Sequence, residues 1–168
     1  MNQTLIVMRH AKSSWDNPSI ADFSRPLNGR GRKSADAIGR WLAKKGHIPD
    51  ALICSPSART TQTWSLVRIH LPSGCREDFD RSLYHGGTSE IRRKLGSAGD
   101  ARCVMIIGHN PSIQHFAASM VRRSPSHPDF ARFPTAATLV AEFQLEGWRN
   151  AEWRTGHAID FVVPRELI

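Results

Sequence analysis

The sequence predicts an α/β fold: a three-layer α/β/α sandwich whose mixed, mostly parallel sheet lies between helices. Three observations carry that prediction. Short aliphatic runs without polar alternation recur along the chain, as in strands covered on both faces. These runs are followed by segments of helical periodicity, so strand and helix alternate. The 168 residues, 40% hydrophobic and 23% charged, suit a single domain spanning 1–168 with enough chain to bury a core.

Thr4 to Met8 form the first strand. A polar, proline-containing loop, "DNPSIADFSRPLNGRG", separates it from "RKSADAIGRWLAKKG", where Ala35, Ile38, Trp41 and Leu42 share one helical face. Lys44 and Lys45 fall in the last turn of this helix and Gly46 at its stop. "PDALICSP" repeats the buried-strand pattern, and "SARTTQTWSLVRIHL" reads as the next helix, with Trp64 and Val67 inward. Pro72 to Phe79 reads as turn and "RSLY" as a short extended piece. A short helix over "TSEIRRKLGSAG" is expected to be opened by Thr88 or Ser89 and closed by Gly96 or Gly99. "CVMIIGH" is the third clear strand and leads into "NPSIQHFAASMVRR", with Asn110 as the expected N-cap and Pro111 at the first helical position. Ile113, Phe116, Ala117, Met120 and Val121 supply its apolar stripe. After a loop, "TLVAEFQ" and "GHAIDFVVP" are extended runs joined by a hairpin-type connection.

No apolar run approaches the roughly 20 residues of a membrane-crossing helix. The start, "MNQTLIVMRH", has neither the basic flank nor the long apolar stretch of a secretion signal, so the expected location is cytoplasmic. Cys54, Cys75 and Cys103 form no C-x-x-C pair, which argues for reduced thiols rather than a disulfide framework or a zinc site. The formal net charge of +8 implies an anionic partner without identifying it. The basic residues are scattered in short pairs that read as solvated helix faces, so nucleic acid is not the preferred partner.

In open α/β sheets, ligands bind beyond the carboxyl ends of parallel strands. The three strand ends here carry Arg9-His10, then Ser55-Pro56 with Arg59 a turn into the helix, then Gly108-His109-Asn110. If the strands are parallel, two histidines and two arginines meet at one edge. Guanidiniums aimed at one spot repel unless a dianion such as a phosphoryl group lies between them. Their charge also disfavours imidazolium, leaving a neutral imidazole with a free lone pair, which is a competent nucleophile. Carboxylates are absent from these ends, which favours covalent phosphoryl transfer without a metal or other cofactor. The residues alone do not decide whether His10 or His109 attacks. Taken singly, His10, Arg9 and Arg59 are more readily read as solvated or structural side chains, whereas the "GHNP" junction speaks against that reading for His109; it is their company that reverses the balance.

"VMRHAKS", "SPSARTTQT" and "GHNP", in this order and each at a strand end, resemble the signature elements of the histidine phosphatase superfamily, whose fold is phosphoglycerate mutase-like. "RHAKSSW", "DFSRPLNGRG", "FPTAA" and "DFVVPREL" resemble its SixA-type phosphohistidine phosphatase branch, and together these elements cover nearly the whole chain. The resemblance implies that His10 becomes transiently phosphorylated, that Arg9 and Arg59 bind phosphate, and that His109 is the second histidine, donating to phosphoryl oxygens. It also implies a phosphorylated substrate, a phosphohistidine protein, with a small phosphomonoester as the alternative. A basic anion- or nucleic-acid-binding module with a vestigial site is the competing reading from another class. The family's mutase-like members place a proton-donating carboxylate near an L-Y segment. Here that neighbourhood reads "REDFDRSLYHGG", making Asp80 the nearest candidate, with Glu77, Asp78 and the loop residues Asp16 and Asp22 as others. Lys12 is either rim charge or a solvated lysine. Proton donation matters less for an imidazole leaving group than for an alkoxide.

Overall fold

The first strand, β1 (Asn2–Arg9), is the hub of the sheet, pairing in parallel with β4 (Cys103–Gly108) on one side and antiparallel with β5 (Thr138–Gln144) on the other. The computed structural model of the protein describes residues 2–168. Beyond β4 lie β2 (Ala51–Cys54) and then β3 (Arg76–Phe79), both parallel to it; β6 (His157–Val162) closes the far edge antiparallel to β5. The order is β3-β2-β4-β1-β5-β6, a mixed and mostly parallel sheet as expected.

The period of two along each buried strand produces the layers. Leu5, Val7, Ile53, Val104 and Ile106 face one side, where α4 (Thr88–Gly96) and α5 (Ser112–Met120) deliver Leu95, Ile113, Phe116 and Met120. Ile6, Met8, Leu52, Met105 and Ile107 face the other, against Ile38 and Leu42 of α1 (Gly29–Lys45) and Trp64 and Val67 of α2 (Ala58–Arg68). Burying each such side chain contributes roughly 1.5–3 kcal/mol, which is why aliphatic runs without alternation are needed in strands covered twice. Of the other tryptophans, Trp41 packs against this second layer, whereas Trp15 lies exposed with the Arg25 guanidinium over its ring. Cys54 and Cys103 are buried and all three cysteines are free; burial pushes the Cys103 thiol up to about 12 and Cys75 up to about 11. Among the described residues, no helix is long and apolar enough to cross a membrane.

Five local expectations are corrected. Helix α1 starts at Gly29 rather than near Arg32, because the Asn28 side chain accepts from the Gly31 N–H at 2.7 Å. The stretch read as turn up to Phe79 contains strand β3, whose exposed Arg76 and Glu77 and half-buried Asp78 give no aliphatic signal because only one of its edges is paired. "RSLY" is not extended: Ser82–His85 is a helical turn (α3), opened by Asp80, whose side chain accepts from the Ser82 N–H at 2.8 Å. Asn110 does not cap α5. Its side-chain amide donates to the carbonyls of Phe133 and Arg132, and the His109 carbonyl accepts from the Ile113 N–H instead. In α4, Gly87 holds the cap position without a side-chain bond, in place of Thr88 or Ser89.

Candidate active site

The parallel register brings the strand ends level. Arg9 lies opposite Gly108 and Cys54 opposite Ile107, so His10, Ser55 and His109 emerge together at the carboxyl edge. Backbone bonds fix His10 from both sides: its N–H donates to Gly108 at 3.1 Å, and its carbonyl accepts from Ala136 at 3.0 Å. The two imidazoles stand with ring centroids 5.3 Å apart.

The His10 ring is 6% exposed, and its Nδ1 lies 2.7 Å from the Ala11 carbonyl. A carbonyl only accepts, so Nδ1 carries the hydrogen and Nε2 the lone pair. Burial is the main force pushing the His10 pKa down to about 3, helped by His109, Arg9 and Arg59; the Ala11 bond opposes it. Burial and then Arg59 push His109 down to about 4, with Asp22 opposing. Near neutral pH both rings are therefore uncharged. His109 Nε2 is 2.8 Å from Ser55 Oγ, and its buried Nδ1 has no partner among the described residues.

The residues around Arg59 explain the "SPSARTTQT" stretch. Thr63 Oγ1 accepts from the Ala11 N–H at 3.0 Å and donates to the Arg59 carbonyl, tying helix α2 to the residue that orients His10. Thr60 Oγ1 donates to the Ser55 carbonyl at 2.7 Å, and Gln62 Oε1 accepts from the Leu27 N–H. From the other side α1 presses on the same segment. A Cβ on Gly31 would lie 2.0 Å from the Lys12 carbonyl oxygen, so only glycine permits this approach.

Arg9 Nη1 donates to the Phe133 carbonyl at 3.3 Å, and burial with Arg59 nearby lowers its pKa. Arg59, 6% exposed, donates from Nη1 to the Asp22 carbonyl at 2.7 Å and from Nη2 to Asp22 Oδ2 at 3.0 Å. The buried Nε atoms of both arginines have no partner among the described residues. Asp22 Oδ2 also accepts from the Tyr84 hydroxyl at 2.6 Å, and its Oδ1 accepts from Arg25 Nη2 at 2.8 Å. The Tyr84 bond first, then Arg25, hold this carboxyl well below the usual carboxylate range.

All four residues singled out at the strand ends are thus brought together. Asp80 is placed differently: its bonds go to Ser82 and Lys94, which hold its carboxyl down to about 2, and not to either histidine. Lys12 is exposed and lines a neighbouring cleft with Arg30, Lys33 and Arg132. Two members of the cluster escaped the reading of single strand ends. Arg25, buried, donates to both Asp22 and Ser13 and adds to the charge lowering the His109 pKa. Tyr84 stacks edge-on to His109 at 5.4 Å between centroids. Neither carries a periodic signal, since one sits in an irregular loop and the other in a single helical turn, although both lie in stretches that carry the resemblance, "DFSRPLNGRG" and "REDFDRSLYHGG".

Two neutral imidazoles ringed by guanidiniums at the carboxyl edge of an α/β sheet define a phosphoryl-transfer class of enzyme. A family profile for the histidine phosphatase superfamily (branch 1) matches residues 5–80. An uncharacterized protein of Mycobacterium tuberculosis is 31% identical over 167 residues, covering 94% of this chain and 100% of its own. Among solved structures, a protein assigned as the phosphohistidine phosphatase SixA of Nakamurella multipartitia superposes with a TM-score of 0.82 at 29% identity, covering 98% of this chain and 97% of the other. The protein histidine phosphatase SixA complexed with tungstate shares the fold, with a TM-score of 0.81 at 20% identity over 99% of this chain and 100% of that one. The chain belongs to the histidine phosphatase superfamily, and is a phosphatase acting through a histidine intermediate.

Proposed function

We propose that the protein hydrolyses phosphohistidine on other proteins, with His10 as the nucleophile and the chain 1–168 acting as one catalytic domain. His10 Nε2 attacks phosphorus, forming a new N–P bond as the bond to the substrate imidazole breaks; the departing imidazole takes up a proton. Water then attacks phospho-His10, releasing inorganic phosphate and restoring the neutral ring. Arg9 and Arg59, joined by Arg25, hold the equatorial oxygens, and His109 steadies the charge that spreads onto them.

The observation that carries the assignment of nucleophile is the Nδ1 contact to the Ala11 carbonyl, which leaves Nε2 of His10 as its basic nitrogen. The choice of substrate is supported by the carboxylates. Asp22 and Asp80 are both held ionised by their neighbours, so neither is poised to protonate an alkoxide, whereas imidazole departs from a phosphoramidate with less help. The similarity to the SixA-assigned structure supports the same choice.

Assays run with a chelator on phosphohistidine peptide, phosphoserine peptide and a sugar phosphate test this reading. The expected kcat/KM on phosphohistidine exceeds the others by about 10²-fold, with no effect of the chelator. Faster turnover of the sugar phosphate would replace the protein substrate with a small phosphomonoester, and loss of activity with chelator would demand a metal.

A further inference from the structure

Beside the catalytic edge lies a cleft of about 490 Å³ whose lining includes Lys12, Arg30, Lys33, Arg132 and Arg165. We infer that this basic cleft receives an acidic segment of the phosphohistidine protein, next to the phosphorylated side chain. The inference rests on the phosphohistidine-protein reading of the active site and names what that site would recognise beyond the phosphoryl group.

The charge balance is the first argument. Arg132 and Arg165 share a single carboxylate, Asp129, and Lys12, Arg30 and Lys33 have no ion-pair partner among the described residues. Arg30 stands in the first turn of α1 and Lys33 directly after it, and that turn contains no acidic residue. Cations at a helix N-terminus oppose its dipole, so this turn is electrostatically frustrated until an anion approaches. Placement is the second argument. Lys12 is two residues beyond His10, and its carbonyl accepts from the Asn28 N–H at 3.0 Å, so the α1 start and the nucleophile segment form one wall. Pro134 and Thr135 also line the cleft and precede Ala136, whose N–H donates to the Arg9 and His10 carbonyls. A chain whose phosphorylated side chain reaches His10 therefore passes its flanking residues over the cleft. The lining decides the class of partner: no aromatic side chain is present for stacking bases, and Val163 and Pro164 supply an apolar floor suited to a peptide.

The test compares phosphohistidine peptides with Asp/Glu-rich and with neutral flanks, on the wild type and on the doubly reversed Arg30→Glu/Lys33→Glu variant. Both positions are exposed, so the fold tolerates them. The acidic peptide is expected to have a KM about tenfold below the neutral one at low salt, a gap that closes in the variant and at high salt. Turnover of phosphoramidate should not change. Equal KM values in the wild type overturn the inference. Binding of the unphosphorylated acidic peptide is measured alongside by calorimetry. If neither phosphopeptide is hydrolysed, the substrate reading fails by itself, while salt-sensitive acidic-peptide binding lost in the variant still supports the cleft. Equal binding by wild type and variant, or tighter binding of a single-stranded RNA oligonucleotide than of the acidic peptide, overturns it.

Discussion

Alanine at His10 is expected to lower kcat on a phosphohistidine peptide by about 10⁴-fold or more, the loss typical when a covalent nucleophile is removed. Its neighbours cannot substitute. His109 Nε2 is engaged with Ser55, and the Ser13 hydroxyl accepts from Arg25. The fold should survive, because the His10 side chain bonds only to the carbonyl of the adjacent residue and is buried as a neutral ring. A melting temperature within a few degrees of the wild type, a change of about 1 kcal/mol, is the control. Rapid quench with radiolabelled phosphohistidine substrate should leave acid-labile label on the wild type, within the peptide containing His10, and none on His10→Ala. Label on the His109 peptide, or His10→Ala with near-normal turnover beside an inactive His109→Ala, would reverse the two roles.

The second large effect is at Arg59. Arg59→Ala should cost about 10³-fold in kcat/KM, shared between kcat and KM, since its fork meets phosphoryl oxygens both before and during transfer. Arg59→Lys keeps the charge but loses the planar pair of donors, and should recover only part of the loss. The substitution also removes both bonds to Asp22 and should loosen the loop around Asp22–Ser24. Faster proteolysis of that loop, together with the kinetic loss, distinguishes a ligand that also anchors from a purely structural arginine. An Arg59→Ala variant within tenfold of wild-type kcat/KM would remove Arg59 from the phosphate site.

Acid should weaken the fold through the same pair of histidines. Their folded pKa values, about 3 and about 4, lie below the ordinary 6.5, so between these limits the unfolded chain binds more protons than the native one. Stability is therefore present above pH 6.5 and is lost as pH falls from there toward 4. The lowered Asp22 and Asp80 act in the same direction, but only below their ordinary value of 3.8. Thermal melts of wild type and of the His10→Ala/His109→Ala variant across pH 7 to 4 should show a shallower decline in the variant; parallel curves would contradict the buried neutral assignment.

The parts of this molecule legible in its sequence are those where one physical demand dominates. Doubly covered strands must be aliphatic, and residues at their ends must be spent on something other than the core, which is why the sequence alone places His10, Arg59 and His109 on one edge. Strand β3 was hidden because an edge exposed to water selects Arg76, Glu77 and Asp78 as readily as a loop does. Asn110 sat at an apt cap position, yet its amide had stronger business with the Arg132 and Phe133 carbonyls, a contact 22 and 23 residues away that no local pattern reports. Asp80 illustrates the reverse case: its position suggested proton donation, and the structure shows it starting a helical turn. Arg25 and Tyr84 depend on how an irregular loop and a single helical turn meet at Asp22, to which both donate.

The Asp22–Arg59 pair means that the site already holds a counter-ion to one of its arginines. An oxyanion meeting the remaining N–H groups of Arg59 shares that guanidinium with a carboxylate bonded to it at 3.0 Å and tethered by Tyr84 and Arg25. The resident carboxylate thus leaves Arg59 and Arg25 partly neutralised, tempering the positive charge that an incoming oxyanion meets.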